Sequence, residues 1–226
     1  MADALLVDWY RELPDLLAGD DPELWANQMN KALRGFRRQV RKRYSEGSLQ
    51  RLTSHPDCEV RRAAVLALGL TGTIDSNASL ARMLHDEDEL VSKTASDSLW
   101  EIWFRAGTEE ANLELHRVMR LPDFQQVMAG LDEIIRENPD FAEPYNQRAI
   151  MFFQRGEYQR SATDCQRALE LNPHHFGAQT GMGQCYMKLR KFSAALRAFK
   201  LALEINPTLS HLSDTIRALE NVVDEG

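Results

Sequence analysis

The sequence predicts an all-α fold built as an α-solenoid of stacked helix pairs, and three observations carry that expectation. The dipeptide Asn-Pro occurs as Asn138-Pro139, Asn172-Pro173 and Asn206-Pro207, with successive prolines 34 residues apart. A second pattern, Asp57-x-x-Val60-Arg61-x-x-Ala64-x-x-Ala67-Leu68, returns 31 residues later as Asp88-x-x-Val91-Ser92-x-x-Ala95-x-x-Ser98-Leu99. Around these markers apolar residues recur at helical steps of three and four. Such a period means one helical unit repeated along the chain, each copy burying its apolar face on the next.

Composition fits a folded chain. Of 226 residues 43% are hydrophobic and 27% charged, enough for a core and against intrinsic disorder. No run of 18 uncharged apolar residues exists, so no membrane span is expected. The start, Met1-Ala2-Asp3-Ala4, has an acid where a secretory leader carries bases, and Asp8 breaks the apolar run Leu5 to Val7. A cytoplasmic protein is expected. Cys58, Cys165 and Cys185 are odd in number and contain no CxxC pair, which reads as reduced, buried thiols. His174-His175 lacks the carboxylates or thiolates of a zinc site. Neither a metal nor a cofactor is expected.

The N-terminal part, 1–47, divides by charge. Residues 1–23 carry one base and seven acids, whereas residues 24–50 carry seven bases and one acid. A helix is predicted over 3–17 from Leu5, Leu6, Trp9, Leu13, Leu16 and Leu17, disturbed by Pro14. Asp21-Pro22-Glu23 starts another, with a capping acid and then proline at the first helical position. There Trp25, Met29, Leu33, Phe36, Val40 and Tyr44 form one apolar stripe, flanked by Lys31, Arg34, Arg37, Arg38, Arg41, Lys42 and Arg43. This segment either caps the array, binds an acidic protein surface, or binds RNA or anionic lipid. The aromatic residues lie on the stripe, not among the bases, which argues against base stacking.

Residues 48–107 hold the 31-residue pattern, each copy preceded by a short helical run, Leu49 to Thr53 and Ser79 to Leu84. They resemble two HEAT-type repeats. In that family an Asp and an Arg commonly bridge neighbouring repeats; Asp57 and Arg61 match, while Ser92 replaces the second Arg and breaks the ladder. The run Leu99 to Phe104 reads as core.

Residues 108–209 hold three 34-residue units. In the last two, Tyr145, Ala149, Phe152, Gly156, Tyr158, Ser161, Cys165, Ala168 and Pro173 correspond to Gln179, Gly183, Tyr186, Arg190, Phe192, Ala195, Phe199, Ala202 and Pro207. Small residues at 149/183, 161/195 and 168/202 allow two helices to approach closely. These residues resemble the tetratricopeptide repeat (TPR), a pair of antiparallel helices, which implies a right-handed superhelix. The unit 108–141 is degenerate, with Glu114-Leu115 and Pro122 off the pattern. Asn in each Asn-Pro reads as a left-handed helix end. Residues 210–226 predict a capping helix burying Leu212, Ile216, Leu219 and Val223, with Arg217 where another repeat needs a small residue.

No catalytic motif is present: no phosphate loop, HExxH or GxSxG, and Gly181-Met182-Gly183 lies inside a predicted helix. HEAT-like arrays also occur in bilin lyases, but the 34-residue half argues against that role. The chain reads as no enzyme. Instead the TPR resemblance places the first helix of each pair on a concave face presenting Asn112, His116, Met119, Asn146, Gln147, Ile150, Phe153, Gln154, Thr180, Gln184, Met187 and Lys188. Amides there can bond a peptide backbone, and Phe and Met offer apolar pockets. The expected function is a protein-interaction adaptor holding a peptide or helix of a partner. The alternative is nucleic-acid or anionic-surface binding through 31–43, with nucleic acid the less expected. TPR domains that grip a chaperone's C-terminal carboxylate use Lys, Asn and Arg where this chain has Asn112, His116, Gln147, Gly177 and Gly181. With no cation there, that clamp is not expected.

Overall fold

The structure, a computed structural model, describes residues 2–14 and 21–224. Every regular element among them is helical. The chain forms two units, Met1–Ile102 and Trp103–Gly226.

The first unit contains α1 (Ala2–Arg11), α2 (Pro22–Arg43), α3 (Glu46–Leu52), α4 (Cys58–Thr71), a 3-10 turn at Ile74–Ser76, α5 (Asn77–Met83) and α6 (Glu89–Trp103). α1 stops at Arg11, short of the expected end at 17. Pro14 has no N–H to donate and turns the residue before it away from the helical region. Leu16 and Leu17 lie outside the described residues. α2 starts as its sequence requires: the Asp21 carboxylate accepts the N–H groups of Glu23 (2.9 Å) and Leu24 (3.1 Å), ahead of Pro22. Its stripe is buried at Phe36 and Val40 and half-buried at Trp25, Met29, Leu33 and Tyr44. α2 packs on α4 and, more lightly, on α1.

The pairs α3–α4 and α5–α6 are the 31-residue units. Ala63, Ala64, Ala67, Leu68, Leu80, Val91, Ala95 and Leu99 fill their core. The Arg61 rung does reach the neighbouring repeat, at Asp86. Asp57 accepts the Glu59 N–H at 2.8 Å and caps α4. The guanidinium donates to both Asp86 oxygens (2.7 and 2.8 Å) and to the carbonyls of His55 and Pro56 (3.0 Å each). Arg62 adds a second bridge to Asp88, through Nε at 2.9 Å and Nη2 at 2.5 Å. That hydrogen-bonded guanidinium pulls the Asp88 carboxyl down to about 2.

The second unit contains α7 (Glu109–Val118), α8 (Phe124–Glu137), α9 (Ala142–Gln154), α10 (Tyr158–Leu171), α11 (Phe176–Lys188), α12 (Phe192–Ile205) and α13 (Leu212–Asp224). Each helix from α7 onward packs on the next. The three Asn-Pro asparagines end α8, α10 and α12, yet none is left-handed: φ is −130°, −139° and −133°. Each closes its helix by donating its N–H to the carbonyl four residues back, at 2.8, 2.8 and 2.9 Å. The proline that follows disfavours any helical conformation at the asparagine and holds it extended. Left-handed residues occur instead inside the hairpins, at the equivalent positions Gly156 (φ 77°) and Arg190 (φ 59°).

Close approach is visible at the small residues. Ser161 donates to the Ala149 carbonyl at 2.7 Å. A Cβ on Gly183 would lie 2.7 Å from the Phe199 ring. α13 buries Leu212, Ile216 and Leu219 with Ala195, Phe199 and Ala202 of α12, while Arg217 stays exposed.

Candidate protein-binding face

α9 and α11 are the first helices of consecutive hairpins, and they touch. Residues 34 apart share a phase, so Asn146, Gln147, Ile150, Phe153 and Gln154 of α9 correspond to Thr180, Gly181, Gln184, Met187 and Lys188 of α11. Within each helix these positions fall on one face, at i, i+3 or i+4, and i+7.

The N-terminal end of this face is closed by a buried polar network. Glu143 and His175 are both fully buried, and Glu143 Oε2 lies 2.9 Å from His175 Nε2. His175 Nδ1 accepts the Ala178 N–H at 3.1 Å, capping α11, so Nε2 holds the proton and donates it to Glu143. The other Glu143 oxygen accepts Asn146 Nδ2 (3.1 Å) and Gln147 Nε2 (2.5 Å). Trp103 stacks on the His175 ring at 4.2 Å and packs against Phe176. Asn146 and Gln147 are consequently 2% and 8% exposed, their amides engaged by Glu143.

The C-terminal end of the face is open. Ile150 is 43% and Met187 37% exposed. Gln154, Gln184 and Lys188 surround them in solvent. Phe153 is half-buried, its ring meeting Tyr158 edge-on at 5.3 Å. Thr180 donates its hydroxyl back to Phe176 O at 2.8 Å. On α7, Asn112 is engaged locally: it accepts the Gly107 N–H at 2.9 Å and donates to the carbonyls of Arg105 and Gly107. Met119 packs into the α7–α8 core, and exposed His116 lies 5.7 Å from the Phe104 ring.

Two features of the face escaped the sequence. Glu143 stands three and four residues before two amides on one helical face, a spacing that could have been read as a network. Its pairing with His175 crosses 32 residues and has no local signature. Arg148 was also missed: it bonds Asp164 twice (2.7 and 2.8 Å) and Asp132 once (2.7 Å), tying α8, α9 and α10 together.

Lys31, Arg34, Arg38, Arg41, Lys42 and Arg43 are exposed on α2, and Arg37 is half-buried. Among the described residues no group of three or more His, Cys, Asp or Glu could hold a metal ion. Cys165 and Cys185 are buried and Cys58 is half-buried. No described helix is long and apolar enough to cross a membrane.

Comparison with known proteins fits these repeats. A family model described as HEAT repeats matches residues 45–124, and one for the tetratricopeptide repeat matches 142–175 and 178–209. Residues 125–141 fall between the two. A TPR repeat-containing protein of Rhizobium etli is 38% identical over 77 residues, 34% of this chain and 38% of that protein. A bovine SGT1 homolog is 30% identical over 95 residues, 42% of this chain and 28% of that protein. The chain thus spans well under half the length of these relatives. Among solved structures, the first TPR of Spaghetti (RPAP3) bound to an HSP90 peptide gives a TM-score of 0.49 at 16% identity, covering 52% of this chain and 95% of that one.

Proposed function

We propose that this chain, a tetratricopeptide-repeat protein with HEAT-like repeats, is a non-catalytic adaptor that holds a segment of a protein partner along α9 and α11. The observation that carries the reading is the exposure of Ile150 and Met187 on neighbouring first helices. Large apolar side chains left in water, bordered by amides, are what an interface core looks like before its partner arrives. Gln154 and Gln184 can bond a peptide backbone, and Lys188 can meet a carboxylate. Asn146 and Gln147 are the floor: held by Glu143, they fix the shape of the face rather than reach out from it. Phe153, braced by Tyr158, is a pre-oriented anchor. The HSP90 peptide in the Spaghetti structure is a feature of that protein. Here Asn112, His116, Gln147, Gly177 and Gly181 offer no cation to a terminal carboxylate, so an internal segment is the better fit.

The test is affinity purification from nuclease-treated lysate, comparing wild type with the double variant Ile150→Asp, Met187→Asp. A protein recovered with wild type and lost with the variant, at unchanged circular dichroism, supports the face. Identical recoveries would overturn it.

A further inference from the structure

We propose that the outer face of α2 is a second docking surface, shaped for an acidic helical segment of a protein partner. Lys31, Arg34, Arg38, Arg41 and Lys42 stand at i, i+3, i+7, i+10 and i+11, so they form one ridge about 16 Å long. All five are exposed. Among the described residues none of them makes an ion pair.

Elsewhere several arginines do find a carboxylate. Arg11 pairs with Glu59, Arg61 with Asp86, Arg62 with Asp88, Arg117 with Glu114, Arg136 with Glu133 and Arg148 with Asp164. The chain is acidic overall, at −7, while residues 24–50 hold seven bases and one acid. Between Leu24 and Arg43 α2 carries no acid to offset the ridge along its own helix. Unbalanced cations at such spacing repel one another, which costs stability and is relieved by an anionic partner.

Shape selects the kind of anion. The ridge borders a shallow, open depression of about 640 Å³ lined by Gln28, Lys31, Ala32, Arg34, Gly35 and Arg38. Gly35 has free space above it, since a Cβ there would meet no atom within 4 Å. Ala32 and Gly35 make a low saddle into which another helix can settle, its carboxylates at i, i+3, i+7 and i+10 reaching the cations alongside. Nucleic acid fits less well. Trp25, Phe36 and Tyr44 sit on the inward stripe, at least half-buried, and cannot stack on bases. The acidic remainder of the chain also opposes a long polyanion but not a short segment within about one screening length, roughly 8 Å, of the ridge. A membrane fits less well again, because Phe36 and Val40 are buried and unavailable for insertion.

The experiment uses the full chain and a labelled helix-forming peptide with glutamates at i, i+3, i+7, i+10 and i+11. Its comparators are a scrambled peptide of the same composition, a single-stranded RNA of matched charge, and phosphatidylserine vesicles. The in-register peptide is expected to bind, more weakly as salt rises, and about tenfold more weakly to the double variant Arg34→Glu, Arg38→Glu at equal helicity. The scrambled peptide should bind several-fold more weakly to wild type, and a lysine version of the in-register peptide should prefer the variant. No binding, equal affinity for variant and wild type, equal affinity for the scrambled peptide, or tighter binding of RNA or vesicles would each overturn the proposal.

Discussion

The hairpins α9–α10 and α11–α12 follow one backbone plan with two different fillings. The first is held by polar groups. Glu143 is bonded three ways, Arg148 bridges Asp164 and Asp132, and Ser161 bonds the Ala149 carbonyl. At the equivalent places the second has Gly177 for Glu143, Met182 for Arg148, Ala198 for Asp164 and Ala195 for Ser161. There Gly183 lets the Phe199 ring come to van der Waals contact, and Gln179 donates across, to the Ala198 carbonyl at 3.2 Å. The repeat therefore needs helix spacing and a turn; it does not need a particular chemistry inside. Where polarity is retained, in the first hairpin, Glu143 and its partners close the end of the face opposite the exposed Ile150 and Met187.

Exchanging residues between the hairpins tests this contrast, and the largest effect is expected at Glu143. Removing its carboxylate leaves His175, Asn146 and Gln147 buried without their acceptor. Glu143→Ala should cost about 3–5 kcal/mol in urea unfolding. A loss below about 1 kcal/mol would show the network to be incidental.

Arg148→Met installs the second hairpin's residue and strands the buried Asp164 carboxylate, which should cost about 3 kcal/mol. Adding Asp164→Ala completes the exchange and should recover most of that loss, because well-packed apolar residues commonly match a buried ion pair. Additive losses in the double variant would contradict the idea that the two fillings are interchangeable.

Gly183→Ala, which copies Ala149, should cost about 1–3 kcal/mol, since its Cβ would press on Phe199 at 2.7 Å. Arg190→Gly, which copies Gly156, should raise stability by about 1 kcal/mol by relieving a positive φ on a residue with a Cβ. A rise in thermal midpoint checks the latter, and a fall would mean that the Arg190 side chain carries contacts outweighing the strain.

The helix pairs were legible because they rest on local regularities: the 34- and 31-residue periods, the Asp21-Pro22 start and the small residues at 149/183 and 161/195. Even there the sequence misjudged conformation at Asn138, Asn172 and Asn206, where the constraint comes from the following proline and not from the asparagine. The face was half legible. Its phase came from the repeat, so Ile150, Gln184, Met187 and Lys188 could be placed. Their neighbours Asn146 and Gln147 were not read as covered: Glu143 stands on their own helix at a legible spacing, but His175, which engages its other oxygen, and Trp103, stacked on that ring, come from distant stretches of chain. Arg61 shows the same limit: its bridge between neighbouring repeats was readable from the resemblance, its particular partner Asp86 was not.

The most direct test of the proposed binding face is site-specific photo-crosslinking in lysate, with a photoreactive residue at Gln184 or Ile150 and, as control, at Leu201, exposed on α12. One partner band from Gln184 and Ile150, absent from Leu201, is the result expected. The same band from all three positions, or from Leu201 alone, would contradict it.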